Sequence, residues 1–185
     1  MSNDRRERPV PKPILRFATA ASMAVATLAA GATAALADSA ALLSAYQGDW
    51  RGSGEARPNP QSEPMRVSCK ISAVFDSDKV ALLNTGRCGT TSGARNLNGR
   101  IEARGDAISG DFLGGTATQD VTNQRLRVVD GMIVSEAELE NAGKVWKLRT
   151  FLTAPKDDAF LVQSQFYDHA SKNWVVAGEI EFRKQ

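Results

Sequence analysis

From residue 48 onward the chain alternates apolar and polar side chains with a period of two. Met65, Val67, Cys69, Ile71, Ala73 and Phe75 fill one unbroken run of odd positions, which predicts a strand with one buried face. Trp174, Val176, Gly178, Ile180 and Phe182 repeat the pattern near the C-terminus. Shorter runs over 79–88, 96–104, 107–113, 122–129, 132–140, 144–153 and 159–167 lie between them. Turn-forming residues separate these runs, among them Asp76-Ser77-Asp78, Asp130-Gly131 and Pro155-Lys156-Asp157-Asp158. Residues 57–64 carry three prolines and read as a loop. Ahead of the first strand, residues 38–47 predict two turns of helix. Asp38 or Ser39 would cap it, with Leu42, Leu43 and Tyr46 on one side.

Register follows from arithmetic on the turns. A two-residue turn at Asp130-Gly131 sets Val128 opposite Ile133 and Arg125 opposite Glu136. A turn at Ala142-Gly143 sets Leu139 opposite Trp146, Glu138 opposite Lys147 and Glu136 opposite Arg149. This register keeps Leu126, Val128, Ile133, Ala137, Leu139, Trp146 and Leu148 on one side, and opposite charges line up on the other. Continued, the same face takes Leu152 opposite Phe160 and Phe166 opposite Trp174. The fold class is therefore all-β. The expected architecture is an antiparallel up-and-down barrel of about 8–10 strands, lipocalin-like, preceded by a short helix, since closure removes exposed edges.

The first 37 residues are different. Residues 1–16 are polar and basic, no charge appears from Phe17 to Ala37, and Ala35-Leu36-Ala37 precedes Asp38 as a small-x-small cleavage site. This is the pattern of a secretory signal peptide. The domain plan is a leader over 1–37, cut at about Ala37, and one barrel over 38–185. The expected location is bacterial, periplasmic or secreted, with no membrane span in the mature form. The formal net charge of +2 also belongs to the leader, which holds five basic residues (Arg5, Arg6, Arg8, Lys12, Arg16) against Asp4 and Glu7. The remainder is close to neutral, so no nucleic-acid partner is expected.

In an oxidising compartment the two cysteines read as a pair. A turn centred between Asp78 and Lys79 places Cys69 directly opposite Cys88 and Phe75 opposite Leu82, within reach of a disulfide. The spacing is not that of a redox motif.

The stretch Gly48-Asp49-Trp50-Arg51-Gly52-Ser53-Gly54, opening the first strand after a short helix, resembles the calycin superfamily, lipocalins and nitrobindin-type barrels in particular. The resemblance implies that Trp50 closes one end of the barrel, with a basic residue from near the C-terminus over its ring, here Arg183. Nitrobindin-type proteins bind haem through a late-strand histidine. The single histidine here, His169, falls in the Asp168–Asn173 turn, so no haem or other cofactor is expected. The Gly-x-Trp start and the cysteine pair across an early hairpin also resemble small periplasmic inhibitors of bacterial metalloproteases. Those act through an N-terminal segment, which here would be about Asp38–Tyr46.

Enzyme motifs are absent from the sequence. One histidine and two cysteines make no metal site, and no nucleophile elbow, phosphate loop or dinucleotide fingerprint is found. No catalytic residue is assigned, and the chain is read as a non-enzyme. The expected inward face combines Trp50, Trp146, Phe160, Phe166 and Trp174 with the hydroxyls of Thr150 and Ser164. Either the core is filled and the hydroxyls bond locally, or the face lines a pocket. The reading adopted is an exported protein binding a small apolar or amphipathic molecule, with Trp50, Trp146, Phe160, Ser164, Phe166 and Trp174 as candidate contacts. The alternative is a protein-interaction module with a filled barrel, acting on a protease or another envelope protein.

Overall fold

The computed structural model describes residues 30–105, 107–113, 120–141 and 144–185. Most of the expected leader lies outside these residues. Helix α1 spans Ala30–Ala45. Ten strands follow: β1 (Gly48–Ala56), β2 (Met65–Asp76), β3 (Ala81–Thr90), β4 (Gly93–Arg104), β5 (Ala107–Asp111), β6 (Asp120–Val129), β7 (Met132–Asn141), β8 (Lys144–Leu152), β9 (Ala159–Asp168) and β10 (Asn173–Lys184). Apart from β5 and β6, strands adjacent in sequence pair antiparallel, and β1 also pairs β10. One ten-stranded sheet results, with the order β5-β4-β3-β2-β1-β10-β9-β8-β7-β6. Strands β5 and β6 face each other without a hydrogen-bonded ladder, so the barrel is nearly closed, with one seam.

Local chemistry explains most of the register. Asp130 (φ 50°) and Gly131 (φ 74°) both adopt positive φ, as a tight primed turn between twisted strands requires. Val128 duly pairs Ile133, Arg125 pairs Glu136, and Glu136 pairs Arg149 in turn. Cys69 pairs Cys88 and Phe75 pairs Leu82, and the two cysteines are joined as a disulfide with Cα atoms 4.0 Å apart. On β2, Val67, Cys69, Ile71 and Ala73 are buried while Arg66, Ser68, Lys70 and Val74 face out.

Three expectations need correction. Helix α1 begins at Ala30, so Asp38 and Ser39 are not its cap in this chain. The helix takes in the alanine-rich run that precedes them, where intrinsic helix preference is highest. Leu152 pairs Val162 rather than Phe160. A tight turn at Asp157 and Asp158, both at positive φ, joins Lys156 to Ala159 and offsets the ladder by two residues. The offset preserves the facing of both strands. The third correction is larger. Phe166 pairs Val175, and Trp174 pairs Tyr167, because β10 carries a bulge between Val176 and Gly178. One extra residue inverts the alternation: Ile180 and Phe182 face inward, Ala177 is buried, and Val176 is 50% exposed.

The core falls into two parts. The larger surrounds Trp50, Ile71, Leu82, Ile101, Phe160 and Phe182. The smaller comprises Leu139, Phe166 and Ala177, with Trp146, Leu148 and Val175 against it. By register the first lies at the end where β1 starts and β10 finishes, and the second toward the opposite end.

Candidate functional site

The two ends of the barrel are built differently. At the first, Phe160 is the hub of an aromatic plug. Its ring is stacked on Phe182 at 4.8 Å and met edge-on by Trp50 at 4.8 Å, Tyr46 at 5.2 Å and Phe112 at 5.6 Å. Such geometries suit the quadrupoles of the rings. Gly52 makes room for the plug, since a Cβ there would come within 2.6 Å of the Phe182 ring. The polar atoms are also accommodated: Trp50 Nε1 donates to the Tyr46 carbonyl at 2.7 Å, and the Tyr46 hydroxyl donates to the Thr153 carbonyl at 2.8 Å. Burial pushes the Tyr46 phenol well above its ordinary pKa of 10.0. This end is filled.

The cation over the Trp50 ring is Lys184, whose Nζ stands 5.6 Å from the centroid. Arg183, expected there, pairs Glu181 instead. The reason is parity, because Trp50 lies opposite Lys184 in the ladder and Arg183 lies opposite Arg51 on the outer face.

At the opposite end the interior opens into a cavity of about 420 Å³. Leu113, Leu139, Leu148, Val162, Phe166 and Ile180 form its apolar wall, drawn from both parts of the core. Ser164 adds a hydroxyl, which lies 3.0 Å from that of Thr150. Arg57 and Arg95 contribute positive charge to the lining, with Thr90 and Ser92 nearby. No Asp or Glu among the described residues lines it.

The six candidate contacts are thus divided. Ser164 and Phe166 line the cavity. Trp146 stands behind Phe166, ring centroids 6.5 Å apart. Trp50 and Phe160 belong to the plug. Trp174 is outside the barrel altogether, with the Arg149 guanidinium 4.3 Å over its ring and Tyr167 at 5.4 Å. Leu139, Leu148 and Ile180 were legible as inward-facing from alternation, but alternation gives no depth along the axis. Arg57 carried no signal, because it sits in the proline-rich loop just past β1.

Acidic groups with displaced pKa values lie on the outer surface. Hydrogen bonding from Arg127 lowers Glu136, and Arg100 with Arg104 lowers Glu102. His169 is exposed in the β9–β10 turn, edge-on to Tyr167. Among the described residues no group of three His, Cys, Asp or Glu is placed to hold a metal ion. No described helix is long and apolar enough to cross a membrane.

A second recess, of about 610 Å³, lies at the seam, where Asp38 and Leu42 of α1 meet Ile108 of β5 and Leu126 and Val128 of β6.

No protein-family description matches the chain, and no curated protein matches it. Among solved structures it is similar to the di-domain ARO/CYC StfQ from the steffimycin biosynthetic pathway. The identity is 9% and the TM-score 0.23, covering 83% of this chain and 81% of that one. A likeness this distant carries no argument about function.

Proposed function

We propose that this chain is an exported, non-enzymatic binding protein that holds a small apolar or amphipathic molecule in the open end of its barrel. The observation that carries the reading is the cavity of about 420 Å³ between the two parts of the core, apolar-walled with a few polar groups at its margin. Its size falls in the ~300–1,000 Å³ range of small-molecule sites, which share that composition. The disulfide is consistent with an oxidising compartment, and the basic start, uncharged run and small-x-small site of the leader support export.

The test is a native mass spectrum of the protein recovered from the periplasm, compared with its denatured mass. Additional non-covalent mass is the expected result, and a bare native mass at every stage of purification contradicts the proposal.

One observation favours the interaction reading. The bulge in β10 turns Trp174 outward into a cluster with Arg149, Tyr167 and Phe151, and Val145 and Val176 are exposed on the same strands. Tryptophan, tyrosine and arginine are the residues that dominate protein contacts. Capture of a defined partner by the wild type, lost on Trp174→Ala, would establish that reading.

A further inference from the structure

We infer that the molecule in the open end carries an acidic headgroup, recognised by Arg57, and sends an apolar tail toward Phe166 and Ile180. The inference rests on the binding reading above and adds the chemical class of the ligand.

Arg57 follows β1 directly, and its backbone N–H donates to the Ala177 carbonyl at 2.7 Å. That bond ties the loop to the bulge of β10 and fixes Arg57 at the cavity. Its side chain is half-buried, and its guanidinium makes no hydrogen bond or ion pair among the described residues. Arg95 lies opposite Cys88 and shares the inward parity of Leu97 and Ile101 on β4, which brings it to the same margin. Arg95 already has an interaction of its own, so the charge left to be met at the margin is that of Arg57, beside an apolar chamber whose described lining holds no carboxylate.

A charge drawn partly out of water needs a partner. Arginine is matched in shape to carboxylate and phosphate, and such charge-assisted pairs are the strong ones. A cationic ligand would meet repulsion at this margin, and a wholly apolar one would leave Arg57 without compensation. The wall beyond is hydrocarbon, apart from the Thr150–Ser164 hydroxyl pair, which is already internally bonded. One acidic head and one apolar tail fit both halves of the site.

Calorimetric titration at low ionic strength with decanoate, decyl phosphate, decan-1-ol and decyltrimethylammonium tests the assignment. At least one of the two acids should bind about 10-fold or more tightly than the alcohol, the scale of a charge-assisted hydrogen bond. Which acid leads distinguishes a carboxylate from a phosphate head. Arg57→Gln should remove most of that preference while leaving the alcohol's affinity unchanged. Leu148→Trp, which fills the chamber, should weaken all probes that bind. Equal affinity of acids and alcohol overturns the headgroup assignment and leaves the binding reading standing. No binding by any probe counts against both, and acid binding unaffected by Leu148→Trp places the site elsewhere and overturns the inference.

Discussion

Tyr46, the residue after α1, reaches the far side of the barrel through its side-chain hydroxyl, and that makes this contact measurable. Its ring is fully buried between Phe112 and Phe160, while its hydroxyl reaches the carbonyl just past β8. Tyr46→Phe keeps the ring and deletes only the donor. It leaves the Thr153 carbonyl without that partner, so the cost at neutral pH should be about 1.5 kcal/mol, within the range for an unsatisfied acceptor. Tyr46→Ala also removes the ring from the plug and should cost about 4 kcal/mol. Urea melts followed by tryptophan fluorescence read both values.

The sign of the pH dependence makes the prediction sharper. Burial holds the phenol protonated in the folded state well above pH 10, whereas in the unfolded chain it ionises near its ordinary value of 10.0. A folded pKa raised above the unfolded one gives stability that is fully present below pH 10. It is lost as pH rises, at about 1.4 kcal/mol per pH unit for this one group. The phenylalanine variant has no such loss. The gap between the two proteins should therefore shrink from about 1.5 kcal/mol at pH 7 to near zero at about pH 11. Every other side chain is common to the two proteins and cancels in the difference. A gap that stays constant from pH 7 to 11 would refute the buried-phenol account, and a Tyr46→Ala cost below about 1 kcal/mol would refute the plug.

Three further outcomes follow from single contacts. Reducing the Cys69–Cys88 bond, which closes a loop of 19 residues' separation, should lower stability by about 3 kcal/mol in the chain-entropy model, read as a shift of the urea midpoint between oxidised and reduced protein. Gly54→Ala should destabilise by more than about 2 kcal/mol, because its Cβ would collide with the Glu179 carbonyl and the Ile180 Cα of β10; an unchanged melting temperature would mean that β1 and β10 do not approach there. Trp174→Ala should leave probe affinity in the cavity unchanged, while Phe166→Ala weakens it, and titration calorimetry of the two variants separates the outer face from the inner.

The strand plan was legible because each strand has one wet face, and a one-residue error of register would have set Glu138 against Trp146. Where the turn residues were equally explicit, as at Asp130-Gly131, the pairing follows without ambiguity. The bulge in β10 was not legible, since Trp174-Val175-Val176-Ala177-Gly178 is apolar at both parities. Either facing would satisfy the local pattern, and the choice is made by tertiary packing where Gly178 runs tight against Ala56. The same ambiguity hid the cation over Trp50: adjacent Arg183 and Lys184 both offer a positive charge, and only the ladder to β1 selects the second.

The cavity was less legible than the fold, because its existence depends on volume rather than on facing. Inward positions were identified correctly on β2 and β7, yet the same alternation describes a filled end and a hollow one. The difference lies in how many rings reach a given level. Tyr46 comes in from just past α1, Trp50 from β1, Phe112 from just past β5, and Phe160 and Phe182 from the adjoining strands β9 and β10, so five chain segments crowd the plug. At the far end the bulge takes Trp174 out of the barrel, and Ala177 takes the inward place that unbroken alternation would give to its neighbours. At the level of Phe166 the isopropyl of Val175 thus stands inward in place of an indole. The bulge therefore links the two functional readings physically: one irregularity in β10 both exposes an aromatic side chain outside and leaves room inside. Deleting Ala177, the extra residue, should leave Val176 opposite Gln165 and Gly178 opposite Ser164 in a regular ladder with Trp174 still outside, and burial of the indole in that variant would refute this account of the bulge.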